Sequence, residues 1–180
     1  TLSGDVADSG GLVPPQAVAT APDFAGGPAP LYVGFDASAS VGAVAWHWDF
    51  GDGFAADGEL VSHTYDRPGS YAVQLTVLSA EGLSDNDTLS VEVDNIPPVA
   101  RATSDTTAGT APLIVSFDAR GSYDPDTGGQ VVGYAWDFGD GSTATGAQVQ
   151  HTYATAGSFS AVLSVVDDLG GESTDVINLE

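Results

Sequence analysis

One hexapeptide occurs twice. Trp48-Asp49-Phe50-Gly51-Asp52-Gly53 returns unchanged as Trp136-Asp137-Phe138-Gly139-Asp140-Gly141, 88 positions later. Alternate residues leading into each copy are aromatic: Trp46, Trp48, Phe50 and then Tyr134, Trp136, Phe138. A period of two places these rings on one face of a strand, against a core. Gly-Asp-Gly ends that strand. Glycine reaches positive φ without steric cost, and an aspartate side chain accepts turn amides.

The repetition extends well beyond the hexapeptide. His63-Thr64-Tyr65 is matched by His151-Thr152-Tyr153 and Gly69-Ser70-Tyr71 by Gly157-Ser158-Phe159, again 88 apart. Upstream, Ala29-Pro30-Leu31 and Phe35-Asp36-Ala37 match Ala111-Pro112-Leu113 and Phe117-Asp118-Ala119 at an offset of 82. The second copy therefore carries six extra residues, within Ser122 to Gly129. A match of this extent is an internal duplication, and the architecture is read from it first.

Boundaries follow from the joints. Residues 1–11 are rich in Gly, Ser and Asp and read as a linker or N-terminal extension. Val13-Pro14-Pro15 opens the first copy as Ile96-Pro97-Pro98 opens the second, and Pro-Pro makes a stiff extended joint. The expected domains are 12–94 and 95–180. Each is about 80 to 85 residues, near the lower limit for an independent core. Expected strands run over 15–20, 31–36, 43–50, 59–65, 70–79 and 85–94, then 98–103, 113–118, 131–138, 147–153, 158–167 and 173–180. Gly, Pro, Asp and Ser punctuate them and no helical period is sustained, which predicts an all-β fold of two tandem sandwiches.

Composition narrows the partners. Three arginines and no lysine face 25 carboxylates, for a net charge of −22. Phosphate and anionic lipid are poor partners for such a chain. The charge fits an acidic secreted domain or a high-salt habitat, where screening removes self-repulsion. Without cysteine there is neither a disulfide framework nor a thiolate zinc site. No stretch approaches the roughly 20 apolar residues of a membrane-spanning helix. No leader-like segment opens the chain, so a secretion signal is expected to have been removed. Because Glu180 matches Glu92, the two copies read as beads of a longer string, or as a subunit continued by non-covalent contact.

Trp-Asp-Phe-Gly-Asp-Gly, His-Thr-Tyr ten residues on, and Gly-Ser-Tyr/Phe after it together resemble the polycystic kidney disease (PKD) domain, over nearly all of residues 12–180. The resemblance implies an immunoglobulin-like β-sandwich of about seven strands. It also implies a non-catalytic extracellular module, of the kind found in archaeal surface layers, beside microbial proteases and chitinases, and in polycystin ectodomains. Fold alone names no partner.

The candidate chemistry is sparse. Asp49-Phe50-Gly51 and Asp137-Phe138-Gly139 look like the kinase metal-binding triplet, but a kinase needs a strand lysine and this chain has none. Asp49 with Asp52, and Asp137 with Asp140, could form a glycosidase pair, yet their place beside turn glycines favours capping. His63 and His151 are expected to bond within the sandwich, and His47 to lie on its outer face. Asp124-Pro125-Asp126 projects two carboxylates from the inserted loop, and hard oxygen ligands suit Ca²⁺. Collagenase members of the family bind calcium through such a loop, an aspartate after the long strand and a residue at the domain start. That resemblance points to Asp124, Asp126, Asp167 or Asp168, and Asn95. The first copy, with only Ser38 to Gly42 there, should lack the site. Asn86-Asp87-Thr88 is a glycosylation sequon.

The expectation is thus a non-catalytic structural or adhesive module, secreted or at the cell surface: a spacer or subunit of a layer, filament or adhesin. Its partners would be other domains of a longer protein or identical subunits, met through an N-terminal strand added to a neighbour's edge. The alternative is a polymer-binding accessory of a secreted hydrolase, gripping an insoluble polysaccharide or protein with outward aromatics such as Phe54 and Tyr123.

Overall fold

The computed structural model describes residues 12–22 and 26–180, so the extension expected at 1–11 lies outside the described residues. Contacts divide the chain into two compact units, Thr1–Val93 and Asp94–Glu180. Unit 1 holds β1 (Leu31–Asp36), β2 (Ala45–Asp49), β3 (Ala55–Asp57), β4 (Leu60–Tyr65), β5 (Gly69–Leu78) and β6 (Ser84–Val93). Its larger sheet has the order β3-β2-β5-β6, its smaller pairs β1 with β4, and every pairing is antiparallel. Unit 2 repeats the plan with β7 (Thr103–Ser104), β8 (Leu113–Asp118), β9 (Val131–Asp137), β10 (Thr143–Thr145), β11 (Gln148–Tyr153), β12 (Phe159–Asp167) and β13 (Glu172–Leu179). Its sheets run β10-β9-β12-β13 and β11-β8-β7. The chain is all-β, two tandem immunoglobulin-like sandwiches.

Alternation builds each core. Trp48 and Phe50 of the hexapeptide strand, Val73, Leu75 and Val77 of β5, and Val33 and Phe35 of β1 are all buried. Phe35 lies 5.4 Å from the Trp48 ring and 5.3 Å from Phe50, tilted in both cases, as ring quadrupoles favour. Phe117, Trp136 and Phe138 repeat this at 5.1 and 5.3 Å. Trp46, expected on the same face, is half-buried at the end of the strand. The indole N–H of Trp48 donates to Gly58 O at 3.1 Å, and Trp136 to Gly146 O at 3.1 Å, so neither buried donor is orphaned.

Two differences from the expected strands have a common cause. Instead of strands over 15–20 and 98–103 there are single bridges, Gln16 to Val41, Thr20 to Asp36 and Val99 to Tyr123, plus the two-residue β7. The tandem prolines supply no donors here. Side chains of the last strand take the backbone's place as acceptors. Ala17 N donates to Asp85 at 2.9 Å and Ala19 N to Asp87 at 2.8 Å; Ala100 N donates to Ser173 Oγ at 2.9 Å and Ala102 N to Asp175 at 2.8 Å. The short β3 and β10, absent from the sequence reading, extend the hairpin that each hexapeptide begins.

Gly51 and Gly139 are required by space as well as by backbone. Their φ values are +80° and +75°, and a Cβ on either would stand 2.7 Å from a carbonyl oxygen, of Ala72 or Ser160.

Candidate functional site

The repeated polar residues converge on the turn they encode. Asp49 Oδ1 accepts Gly51 N at 2.9 Å and Asp52 Oδ1 accepts Phe54 N at 3.1 Å. The other Asp52 oxygen lies 2.6 Å from His63 Nε2. That imidazole is stacked on Phe50, centroids 4.3 Å apart and planes 1° from parallel, with its edge on Tyr65. Tyr65 in turn donates its hydroxyl to Phe50 O at 3.0 Å. Unit 2 reproduces each contact: Asp137 on Gly139 N, Asp140 on Ser142 N and 2.7 Å from His151, His151 stacked on Phe138 at 4.1 Å, and Tyr153 on Phe138 O at 3.0 Å. The hydrogen bond to His151 holds the Asp140 carboxyl below its ordinary value. Burial, with Asp140 nearby, pushes the Tyr153 phenol up to about 12; burial raises Tyr65 as well. The tempting carboxylate pairs are therefore engaged in closing turns. His47 is on the outer face as expected, 2.6 Å from Asp57.

The inserted loop of unit 2 is different in kind. Asp126 is 6% exposed and Asp167 2%. Asn95 Nδ2 donates to Asp167 Oδ2 at 2.9 Å. Ile96 N donates to Asp126 Oδ2 at 2.9 Å, which ties the loop to the residue beside Asn95. Asp124 Oδ1 accepts Asp126 N at 2.9 Å and so orders the loop. The remaining Asp167 oxygen accepts Leu169 N and Gly171 N. Burial raises the Asp167 carboxyl, but the bonds from Asn95 and from these amides prevail and leave it below its ordinary value. Two atoms are left over. Asn95 Oδ1 and Asp126 Oδ1 are buried without a hydrogen-bond partner.

Two orphaned acceptors beside a buried carboxylate are short of positive charge. Burying an unsatisfied polar oxygen costs about 1–3 kcal/mol, and more when it is charged. A hard cation taking oxygen ligands would satisfy both atoms. Among the described residues no three His, Cys, Asp or Glu side chains are grouped to hold a metal by themselves. An ion here would thus draw on the Asn95 amide oxygen along with Asp126 and Asp167. Asp168, the neighbouring candidate, is engaged differently: its carboxylate accepts Gln130 N at 2.9 Å and latches the β9 entrance.

Two glycines belong to this arrangement and were missed in the sequence. A Cβ on Gly171 would lie 2.4 Å from Asp167 Oδ2 and 2.6 Å from Asn95 Nδ2, and one on Gly129 would lie 2.4 Å from Asp124 Cγ. Spacing alone gave no signal, because these contacts depend on how each loop folds back on itself and, at Gly171, on Asn95 arriving from the domain start. In unit 1, Ser79 occupies the position of Asp167. Its hydroxyl accepts Glu81 N and Leu83 N at 3.2 and 3.3 Å, the same hairpin closure without a charge. Leu12 stands where Asn95 does, just before its own Pro-Pro joint.

Phe54, 65% exposed, sits at a turn beside His63, and Tyr123, 46% exposed, lies under Arg101 with the guanidinium carbon 5.1 Å from its centroid. Asn86 is exposed on β6 and accepts Thr76 Oγ1 at 2.9 Å.

Comparison with known proteins gives concordant matches. Collagenase ColQ1 of Bacillus cereus (strain Q1) is 46% identical over 59 residues, 33% of this chain and 6% of the relative. Collagenase ColA of Clostridium perfringens is 32% identical over 116 residues, 64% of this chain and 10% of the relative. The pre-pro-metalloprotease PrtV of Vibrio cholerae is 26% identical over 137 residues, 76% of this chain and 14% of the relative. The chain thus spans a small fraction of each. Among solved structures, the PKD1 domain of Vibrio cholerae PrtV is 38% identical, covering 47% of this chain and 99% of that one at a TM-score of 0.40. The family model of the PKD domain matches residues 12–93 and again 95–180, and the chain belongs to that family, as two PKD domains in tandem.

Proposed function

We propose that the chain is a non-catalytic tandem module of a larger extracellular protein, a spacer between functional parts, whose second unit is closed by calcium. The repeated turn carries the first half of this reading. Its Asp, His and Tyr side chains bond to the same backbone and side-chain partners in both copies, so the signature residues are accounted for by folding. The orphaned oxygens of Asn95 and Asp126 carry the second half. Calcium would be held by Asn95, Asp126 and Asp167, with Asp124 ordering the loop, and would stiffen the start of unit 2.

A second reading is favoured by the relatives' own names. Collagenases and a metalloprotease share this module, and an accessory that holds such an enzyme to an insoluble polymer would present exposed aromatics like Phe54 and Tyr123. Pulldown on chitin, cellulose and collagen separates the two. The spacer reading expects the chain to stay in the supernatant on all three. Retention on one polymer, lost in Phe54→Ala or Tyr123→Ala, would establish the accessory role in its place.

A further inference from the structure

One motif of unit 1 is used neither by the fold nor by the proposed calcium site. The sequon Asn86-Asp87-Thr88 lies within β6, with Asn86 and Thr88 both on its outward face. Thr76 Oγ1 donates to Asn86 Oδ1 at 2.9 Å, which engages the oxygen of the side-chain amide and not its nitrogen. Cross-strand register sets four polar residues in one row: Asp57, His47, Thr76 and Asn86, on β3, β2, β5 and β6 in turn. At the far end of the row His47 Nδ1 lies 2.6 Å from Asp57. A groove of about 470 Å³ opens on this face, lined by Ala45, His47, Asp57, Gly58, Thr76 and Leu78.

Motif and groove residues occur together in unit 1 and are replaced together in unit 2. At the offset of 88, Asn86 and Thr88 become Thr174 and Val176, while Ala45, His47 and Asp57 become Gly133, Ala135 and Thr145. Unit 2 folds to the same plan with these replacements, so the row serves something other than folding.

We infer that Asn86 carries an N-linked glycan whose first sugars lie along this row and fill the groove. Adjacent strands are about 4.8 Å apart, so Asn86 on β6 stands roughly 10 Å from β2. The first two sugars of a chain joined to Asn86 span that distance. A sugar ring has an apolar face and a rim of hydroxyls. Ala45 and the 42% exposed Leu78 give the apolar face a floor, and Thr76, His47 and Asp57 give the hydroxyls donors and acceptors. The volume falls within the range of small-ligand sites, about 300–1,000 Å³. Attachment also supplies a high local concentration, so the seat needs little affinity of its own.

The modification is a group transfer. Asn86 Nδ2 forms a bond to the anomeric carbon of an oligosaccharide carried on a lipid-linked phosphate. The bond from that carbon to the phosphate oxygen breaks, the phosphate leaves with the electron pair, and the amide gives up one proton. A membrane transferase reads Thr88 as the chain is exported, so the inference rests on the extracellular reading above.

Secreting the full chain from a eukaryotic host that glycosylates sequons, behind that host's own leader, tests it. Intact mass should show a carbohydrate increment that maps to Asn86 and is absent from Thr88→Val, in which Asn86 itself is kept. In calorimetry the glycosylated parent should show one transition several degrees above its place in Thr88→Val, with the other unmoved. Leu78→Ser should keep the increment and lose that difference, read between Leu78→Ser chains with and without Thr88→Val. A bare Asn86 in the exported, folded chain overturns the inference. So does a glycan that leaves both transitions where Thr88→Val has them, or a gain that Leu78→Ser does not reduce. Because the leader is the host's, each of these counts against the glycan alone. The extracellular reading fails on a different result, an antibody to the chain that labels its source cells only after they are broken open.

Discussion

Ser79 and Asp167 occupy the same corner of the two units and close it with the same pair of backbone amides. The hydroxyl needs nothing more, but the carboxylate leaves a charge that Asn95 alone only partly satisfies. Gly171 is small because both of those side chains press on it. Gly171→Ala should displace Asp167 and Asn95 and abolish a calcium-dependent rise in melting temperature as fully as Asp126→Ala does, and a calcium titration of each variant checks this. The turn residues predict pH behaviour. Tyr153 titrates near 12 in the fold, against an ordinary value near 10. Its raised value means that stability is intact below about pH 10 and is lost as pH climbs towards 12. Tyr153→Phe should flatten that alkaline loss, as followed by denaturant melts across the range. Asp140 has the opposite sign. Its lowered value gives stability that is present above its ordinary value and is lost as acid takes pH down through the folded one. His151→Gln should move the Asp140 titration back up, which a carboxyl NMR titration reads directly. The turn residues were legible in the sequence because they recur as a set in both copies, the aspartates beside the amides they accept and the His and Tyr at a fixed spacing from them. Gly129 and Gly171 were not, because the folded path of each loop, and at Gly171 the arrival of Asn95 from the domain start, sets what presses on them.

At the scale of elements, the sequence foretold most long strands to within a few residues, since one face of each is apolar at a period of two. It failed at the opening segments. Their alternation looks like a strand, but their amides find carboxylates and a serine hydroxyl on β6 and β13, and no periodicity reveals an acceptor some 70 residues away. Those acceptors should matter. Removing one leaves a partly buried amide unpaired, a loss of about 1–2 kcal/mol. Asp87→Ala should therefore destabilise unit 1 and Asp175→Ala unit 2 by that amount in guanidinium unfolding, each without effect on the other. The three-residue β3 and β10 were hidden for a simpler reason: three residues hold too little pattern to separate from a turn.

For the whole molecule, duplication made the architecture readable and charge made the solvent readable. A chain with 25 carboxylates and three arginines repels itself in dilute buffer. Molar NaCl should raise the stability of both units, since screening at that concentration reaches within about 3 Å of each charge. Calcium should do something narrower. Unit 1 has Leu12 and Ser79 where unit 2 has Asn95 and Asp167, so an ion that binds only the folded second unit should stabilise that unit alone. At a hundredfold excess over the dissociation constant the gain is about 2.7 kcal/mol. Differential scanning calorimetry at fixed ionic strength, with calcium or with chelator, puts this to the test most directly. The account predicts two transitions, of which one moves up with calcium and returns in Asp126→Ala while the other stays in place. Two transitions that ignore calcium, or that rise together, would contradict it.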